Sequence, residues 1–304
     1  MAPARREFLR SLAAYGALFY TNELPVRTLA PMIKRRIPSS GEEIPVIGMG
    51  TWQTFDPPNA TPAVLDQLLE VLRVFMSAGG TVIDSSPMYG RAEEITGTLL
   101  DRLGATSSVF LATKVWTSGE AAGGRQLEQS CRLLHRQRLD LEQVHNLLDW
   151  RTQLDLLRRR KDEGRVRYIG VTHYTESSFA ELESVMRRER LDFVQLPYSI
   201  GFRGAESRLL PAALDTGTAV LVNGPFEGGD LFGQVRGKQL PPWVASFAAT
   251  WAQVFLKYIL ANPAVTCVIP ATANPVHMAD DAASGTGALP DVEQRAQLLR
   301  LLGV

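Results

Sequence analysis

The sequence predicts an α/β protein in which eight parallel strands close into a (β/α)8 barrel, the TIM-barrel architecture, ringed by helices. Eight short apolar runs follow one another from Ile44 onward, their centres mostly about 25 to 34 residues apart, with segments of helical period between them. That spacing fits a strand, a loop, an amphipathic helix and a return loop. Eight such units indicate a closed barrel. An open doubly wound sheet is the alternative, although it usually needs fewer strands.

The predicted elements alternate along the chain as a barrel requires. Strands are predicted over residues 46–52, 81–84, 109–114, 139–145, 166–172, 193–195, 219–223 and 265–270. Helices are predicted over residues 61–76, 124–138, 153–163, 178–188 and 242–260. Thr61 suits the cap of the first helix and Pro62 its first position, because Pro has no backbone N–H to leave unpaired there. No low-complexity linker divides residues 34–304, so they are predicted to form a single domain.

Composition and charge exclude several classes of protein. The 304 residues include 45% hydrophobic and 21% charged residues, which is typical of a soluble globule and excludes disordered and fibrous chains. The 32 Lys and Arg balance 32 Asp and Glu, and this neutrality argues against non-specific binding to nucleic acid or to an anionic membrane surface. Cys131, Cys267 and four scattered histidines form no metal-site pattern, so no metal is predicted.

The first 33 residues are predicted to be separate from the barrel. Arg5 and Arg6 precede a short apolar run at residues 12–20, a pattern typical of a bacterial twin-arginine export signal. The run is far shorter than the roughly 20 residues that span a bilayer, so no membrane anchor is predicted. The sequence favours export to the periplasm by the twin-arginine (Tat) translocase. An N-terminal arm of a cytoplasmic protein is the alternative.

Four titratable residues lie at or just after the ends of predicted strands, where barrels of this kind carry their chemistry. Asp84, Lys114 and His145 end three of the strands, and Tyr89 lies five residues after Asp84. A tyrosine is a poor acid at neutral pH unless a neighbouring ammonium stabilises its phenolate, and a carboxylate keeps that ammonium charged. A neutral histidine can donate a hydrogen bond to a carbonyl oxygen. This set suits protonation of a carbonyl oxygen while a cofactor supplies hydride to the carbon.

The segments around these four residues resemble the signatures of the aldo/keto reductases. Residues 83–93 resemble the family segment D-T-A-x-x-Y-G-x-x-E, and residues 113–116 and 143–146 resemble the next two signatures in order. The resemblance covers roughly residues 37 to 290, and the twin-arginine start resembles an exported bacterial branch. It implies a (β/α)8 barrel that reduces carbonyls with NAD(P)H. Tyr89 is then the general acid, Lys114 and Asp84 tune it, and His145 orients the carbonyl.

The resemblance also implies a nicotinamide cofactor site, with departures from the family pattern. The implied cofactor-binding residues are Gly50, Thr51, Asp84, Thr172, His173, Gln195, Asn223, Pro225, Phe226, Ile269, Ala271, Thr272 and Asp281. Thr172-His173 replaces the usual Ser-Asn pair, and the aromatic that stacks on nicotinamide is missing from residues 222–225. Ala273 replaces the cation that normally recognises a 2′-phosphate, so the sequence leaves NADPH and NADH both open and predicts a weakened preference for NADPH.

The resemblance implies a small carbonyl substrate in an apolar mouth formed by Trp52, Met88 and Trp116 beside His145. Two other functions stay open at this point. The altered cofactor signatures are compatible with a reductase-like barrel that serves as a non-catalytic binding or regulatory protein. Alternatively, Lys114 could act as the Schiff-base amine of a barrel isomerase or aldolase. The oligomeric state stays open too.

Overall fold

The computed structural model describes residues 31–304, which form one compact unit built around eight parallel strands. Strands that follow one another in the chain are neighbours in this sheet and pair in parallel. The strands are β3 (Met49–Gly50), β4 (Val82–Asp84), β5 (Phe110–Val115), β6 (Leu139–His145), β7 (Val166–Thr172), β8 (Phe193–Pro197), β9 (Ala219–Asn223) and β10 (Cys267–Val268). The predicted segments 46–52 and 265–270 therefore contain shorter strands than expected.

Backbone hydrogen bonds between the first and last of these strands close the sheet. The Gly48 N–H donates to the Val268 carbonyl at 2.8 Å, and the Val268 N–H donates to the Val46 carbonyl at 2.9 Å. Beyond them, the Gly50 N–H donates to the Pro270 carbonyl at 2.9 Å. A closed sheet has no free edge, so the predicted (β/α)8 barrel is confirmed over the open doubly wound sheet.

A small antiparallel hairpin, absent from the sequence prediction, precedes the barrel. Its strands are β1 (Lys34–Arg36) and β2 (Glu43–Pro45), and they pair Arg35 with Ile44. Ile37 and Ile44 are buried in the cluster that fills the barrel interior, together with Phe110, Tyr168 and Phe193. The Lys-Arg-Arg strand carries no alternation of apolar and polar residues, so periodicity could not reveal it.

Ten α-helices follow the strands or close the chain within residues 31–304. They are α1 (Pro62–Ser77), α2 (Ala92–Arg102), α3 (Glu120–Leu133), α4 (Trp150–Asp162), α5 (Phe179–Arg188), α6 (Leu209–Thr216), α7 (Asp230–Gln234), α8 (Trp251–Leu260), α9 (Pro275–Ala283) and α10 (Val292–Leu302). The Thr61 side chain caps α1 by accepting the Val64 N–H, with Pro62 in the first turn as predicted. None of these helices is long and apolar enough to cross a membrane.

Two predicted helices are wrong in their extent. The helix predicted over 242–260 is a 3₁₀ turn at Pro242–Ser246 followed by α8, because Thr250 begins a new helix by accepting the Gln253 N–H at 3.1 Å. The helix predicted over 124–138 begins earlier and ends at Leu133, since the chain turns into the left-handed region at His135, where φ is 53°. The export signal predicted over residues 1–33 lies almost wholly outside the described residues.

Candidate active site

Four predicted residues meet at the carboxyl ends of β4, β5 and β6. Lys114 Nζ donates to Asp84 Oδ2 at 2.7 Å and lies 5.0 Å from the centre of the Tyr89 ring. The Tyr89 and His145 ring centres are 5.8 Å apart, with the ring planes almost perpendicular. The phenol, ammonium, carboxylate and imidazole therefore form one cluster, as the positions at strand ends predicted.

Lys114 is held as an ammonium ion although its side chain is fully buried. Nζ donates to the Ser85 carbonyl at 2.7 Å as well as to Asp84. Burial alone would lower the pKa of Lys114, but Asp84 and Tyr89 outweigh it and raise that pKa above its ordinary value. A Schiff-base lysine must be an uncharged amine to attack a carbonyl. This environment therefore argues against the isomerase or aldolase alternative.

Asp84 accepts hydrogen bonds from two glutamines as well as from Lys114. Gln195 Nε2 donates to Asp84 Oδ1 at 2.9 Å, and Gln143 Nε2 donates to the same oxygen at 3.3 Å. Gln143 is not among the predicted site residues, although it lies two residues before His145 and a strand repeats its faces every two residues. The carboxylate is thus held by three buried donors, which fixes the position of the ammonium beside Tyr89.

Tyr89 keeps its phenolic proton in this environment. Burial raises the pKa of Tyr89, and this effect outweighs the lowering by the Lys114 ammonium. The sequence predicted the lowering by Lys114 but could not predict the larger effect of burial. The phenol is therefore protonated at neutral pH. The Lys114 ammonium lies close enough to stabilise the phenolate that forms when the proton is transferred.

His145 is a neutral imidazole. Burial, together with the charge of Lys114 and the nearby His173, lowers the pKa of His145 to about 2. Its Nδ1 lies 3.0 Å from Ser86 Oγ, a partner that sequence analysis did not identify. The Trp116 ring centre lies 6.5 Å from the His145 ring centre, so this predicted substrate residue lies beside the imidazole.

Three predicted cofactor residues meet at the carboxyl ends of β7, β8 and β9. Thr172 Oγ1 donates to Gln195 Oε1 at 3.2 Å, and Asn223 Nδ2 lies 3.5 Å from the same oxygen. Hydroxyl and amide groups can both donate and accept, which is what a nicotinamide carboxamide requires. Gln143 Oε1 is buried without a partner among residues 31–304, so an acceptor is also available beside this group. These residues fit the carboxamide end of a nicotinamide cofactor.

Other predicted cofactor residues are engaged within the protein. Thr51 Oγ1 is 3.0 Å from both the Asp84 carbonyl and Ser85 Oγ and is fully buried. His173 Nδ1 accepts the Tyr174 and Thr175 N–H groups at 3.0 and 3.2 Å, and Ser178 Oγ lies 3.0 Å from Nε2. Both imidazole nitrogens of His173 are therefore bound by their own loop, and among residues 31–304 His173 is hydrogen-bonded to the Thr172–Gln195–Asn223 group only through its backbone N–H, which donates to the Gln195 carbonyl at 3.3 Å.

A model of the aldo/keto reductase family matches residues 46–296, most of the barrel just described. The chain belongs to this family. It is 28% identical over 216 residues to the aldo-keto reductase YhdN of Bacillus subtilis, an alignment that covers 66% of this chain and 63% of YhdN. It is 27% identical over 264 residues to the methylglyoxal reductase YeaE of Escherichia coli, covering 83% and 89% of the two chains. This chain thus spans slightly less than two thirds of YhdN.

A solved relative has the same fold. The crystal structure of an aldo/keto reductase from Klebsiella pneumoniae, in complex with NADP and acetate, is 27% identical to this chain. The two superpose with a TM-score of 0.74, covering 86% of this chain and 93% of the Klebsiella chain. The predictions of the family and of the single barrel domain are therefore confirmed.

Residues 271–281, the segment that follows β10, carry the largest departure from the aldo/keto reductase pattern. Ala271 is exposed, Thr272 Oγ1 accepts the Asn274 N–H at 3.1 Å, and the Ala273 carbonyl accepts from Gln67 Nε2 at 2.7 Å. Residues 271–281 contain neither Lys nor Arg. Burial and the neighbouring Asp280 raise the pKa of Asp281 to about 7, so this carboxyl is partly protonated at neutral pH. These side chains supply no permanent cation for a 2′-phosphate.

The three predicted substrate residues are large apolar side chains exposed to solvent, and Trp116 is the one that lies beside His145. Trp52, Met88 and Trp116 are 55%, 38% and 42% exposed, which is unusual for such large apolar side chains. Phe226, a predicted cofactor residue on the loop after β9, lies against Phe232 with ring centres 5.0 Å apart. The remaining predicted residues of this region, Gly50, Pro225 and Ile269, are buried. A Cβ at Gly50 would lie 3.0 Å from the Ile269 carbonyl oxygen, a tight contact that favours glycine at this position.

Proposed function

We propose that this aldo/keto reductase reversibly reduces an aldehyde or ketone to an alcohol with a nicotinamide cofactor. The observation that carries the proposal is the buried Lys114–Asp84 pair, 2.7 Å apart, beneath a protonated Tyr89 and beside a neutral His145. When bound, the nicotinamide supplies the hydride that reaches the carbonyl carbon. No observation favours the non-catalytic alternative, because every group needed for proton transfer is present.

The protein's own residues handle the proton and the carbonyl oxygen. His145 donates a hydrogen bond that orients the oxygen, and Tyr89 gives its phenolic proton to that oxygen. The Lys114 ammonium then stabilises the phenolate, and Asp84 with its two glutamine donors keeps the ammonium in place. Trp52, Met88 and Trp116 shield the mouth from water and favour substrates with an apolar part. Methylglyoxal, the substrate named for the Escherichia coli relative, and an aromatic aldehyde are suitable first substrates.

We expect NADH to bind at least as tightly as NADPH, because no Lys or Arg lies among residues 271–281 to recognise a 2′-phosphate. Titrating the protein with each cofactor while recording quenching of tryptophan fluorescence measures both affinities, since the Trp116 ring centre lies 6.5 Å from that of His145. Ala273→Arg, which restores a cation, should improve the binding of NADPH and leave that of NADH unchanged. A tenfold preference of the parent protein for NADPH, about 1.4 kcal/mol, would contradict this proposal.

We also propose that Arg5 and Arg6 direct the folded protein to the twin-arginine translocase, with the periplasm as its location and residues 34–304 as the folded domain. Cell fractionation should find the parent protein in the periplasm and the double variant Arg5→Lys, Arg6→Lys in the cytoplasm. The double variant Arg187→Lys, Arg188→Lys changes another arginine pair, at the end of α5, and should still be exported. Cytoplasmic retention of the parent protein would refute the export signal.

A further inference from the structure

The Ser86 hydroxyl is a buried group next to the active site that makes two hydrogen bonds, one of them to His145. Ser86 Oγ lies 3.0 Å from His145 Nδ1 and accepts the Met88 N–H at 3.3 Å. Both Ser86 and His145 are buried, so water cannot readily replace either partner. These two contacts are the only hydrogen bonds of Ser86 Oγ among residues 31–304.

Counting protons at Ser86 determines which nitrogen of His145 carries hydrogen. A serine hydroxyl has one proton to donate and two lone pairs to accept with. The Met88 N–H occupies one lone pair, and among residues 31–304 His145 Nδ1 is the only acceptor within reach of the hydroxyl proton. If Nδ1 carried hydrogen instead, the buried hydroxyl proton would have no partner, which costs about 1–3 kcal/mol. The favoured arrangement therefore has Ser86 donating to a bare Nδ1.

The neutral state of His145 places its single proton on the other nitrogen. The groups that face the imidazole are Tyr89, Lys114, Trp116 and His173, and none of them is a carboxylate. A backbone carbonyl or a carboxylate at Nδ1, the common partner of a functional histidine, would hold the proton there and leave Nε2 bare. Such a histidine could not donate to a carbonyl oxygen. A hydroxyl that donates to Nδ1 keeps that nitrogen bare and leaves the proton on Nε2.

We propose that Ser86 is a positioning residue that holds His145 as the tautomer with hydrogen on Nε2, ready to donate to the substrate oxygen. This inference rests on the proposed carbonyl reduction for its purpose, but the tautomer itself is independent of any turnover. Nε2 has no hydrogen-bond partner among residues 31–304, so its N–H is available to a ligand. Ser86 acts only through His145 and does not touch the reacting atoms.

Nuclear magnetic resonance of the full chain labelled with ¹⁵N-histidine measures the tautomer directly. The protein has four histidines, and His145→Asn identifies the signal of His145 by its loss. We expect Nε2 protonated and Nδ1 unprotonated in the parent protein from pH 6 to 8. Ser86→Ala should give a mixture of the two tautomers, and Ser86→Thr, which keeps the hydroxyl, should restore the parent signal. Ser85→Ala removes the adjacent hydroxyl, which is hydrogen-bonded to Thr51 Oγ1 and not to His145, and should leave the signal unchanged.

Kinetics supply the second readout. Ser86→Ala should lower kcat for carbonyl reduction by about tenfold or more, with the cofactor affinity unchanged, because only the donor to the carbonyl oxygen is affected. A parent protein with hydrogen on Nδ1 would overturn the inference even if Ser86→Ala failed to fold. Full turnover by a Tyr89→Phe variant would overturn the proposed function and leave the tautomer result standing, so the two failures are distinguishable.

Discussion

Tyr89→Phe is expected to lower kcat for carbonyl reduction by about 10²- to 10⁴-fold, the usual contribution of a positioned general acid. The variant loses one hydroxyl and keeps the aromatic ring that packs 5.0 Å from Lys114 Nζ and beside His145. Folding and cofactor affinity should therefore be retained. Steady-state rates with methylglyoxal and an aromatic aldehyde measure the loss, and fluorescence quenching by NADH tests the retained binding.

Tyr174→Phe is the matched control for this substitution. Tyr174 is 65% exposed and follows the predicted cofactor residues on the loop after β7, but it makes no contact with the Lys114–Asp84 pair. Removing its hydroxyl should leave kcat within about twofold of the parent value, because a surface hydroxyl contributes little. A Tyr89→Phe enzyme as fast as the Tyr174→Phe enzyme would contradict the assignment of the general acid.

Much of this site could be predicted from the sequence because barrel topology places the ends of consecutive parallel strands together. Asp84, Lys114 and His145 each end a predicted strand, so their convergence followed from the order of the elements alone. Ser86 and Gln143 lie in the same segments but carry no such signal. A serine or glutamine in a loop or strand is common, and only the three-dimensional distances show that these two bind His145 and Asp84.

The less successful predictions share a physical cause. His173 follows Thr172 where the family has an amide, and its ring could in principle donate or accept toward the cofactor. Its own loop offers two backbone N–H groups and the Ser178 hydroxyl, and these local partners bind both nitrogens. The pKa of Tyr89 could not be predicted for a related reason. A sequence reveals the neighbouring ammonium but not the degree of burial, which raises this pKa. Local competition for hydrogen bonds and desolvation both depend on packing.

At Glu142, in β6, the residue type and its surroundings in the structure disagree most clearly. It lies within a segment that the sequence predicts as an apolar strand, and its side chain is fully buried, yet neither carboxyl oxygen has a partner among residues 31–304. Strand side chains alternate, so Glu142 points away from Gln143 and the barrel interior, toward the helices. Its neighbour there is Glu93 of α2, whose Oε1 accepts from Thr113 Oγ1 at 2.5 Å.

Burial and the adjacent Glu93 raise the pKa of Glu142 well above its ordinary value, so the fold favours the protonated form. A group whose pKa is raised by folding contributes its stability below its unfolded pKa, about 4.3, and loses it as the pH rises through the folded value. The contribution of Glu142 to the free energy of unfolding should therefore decline as the pH rises above about 4.3. In Glu142→Gln, which cannot ionise, this contribution should be lost, and denaturation of the parent and the variant across the pH range measures the difference.

Glu142→Met is expected to raise the free energy of unfolding at neutral pH by about 1–3 kcal/mol, because it removes a buried polar group without partners and keeps an unbranched chain of similar length. Urea denaturation of the parent and the variant measures the difference. Asp140→Asn, two residues earlier on β6, is the control. Asp140 is also buried but accepts from the Leu111 N–H at 2.9 Å and pairs with Arg136 and Arg167, so its neutralisation should destabilise the protein. Destabilisation by both substitutions would show that the Glu142 carboxyl has a binding partner after all, and that its burial stabilises the fold.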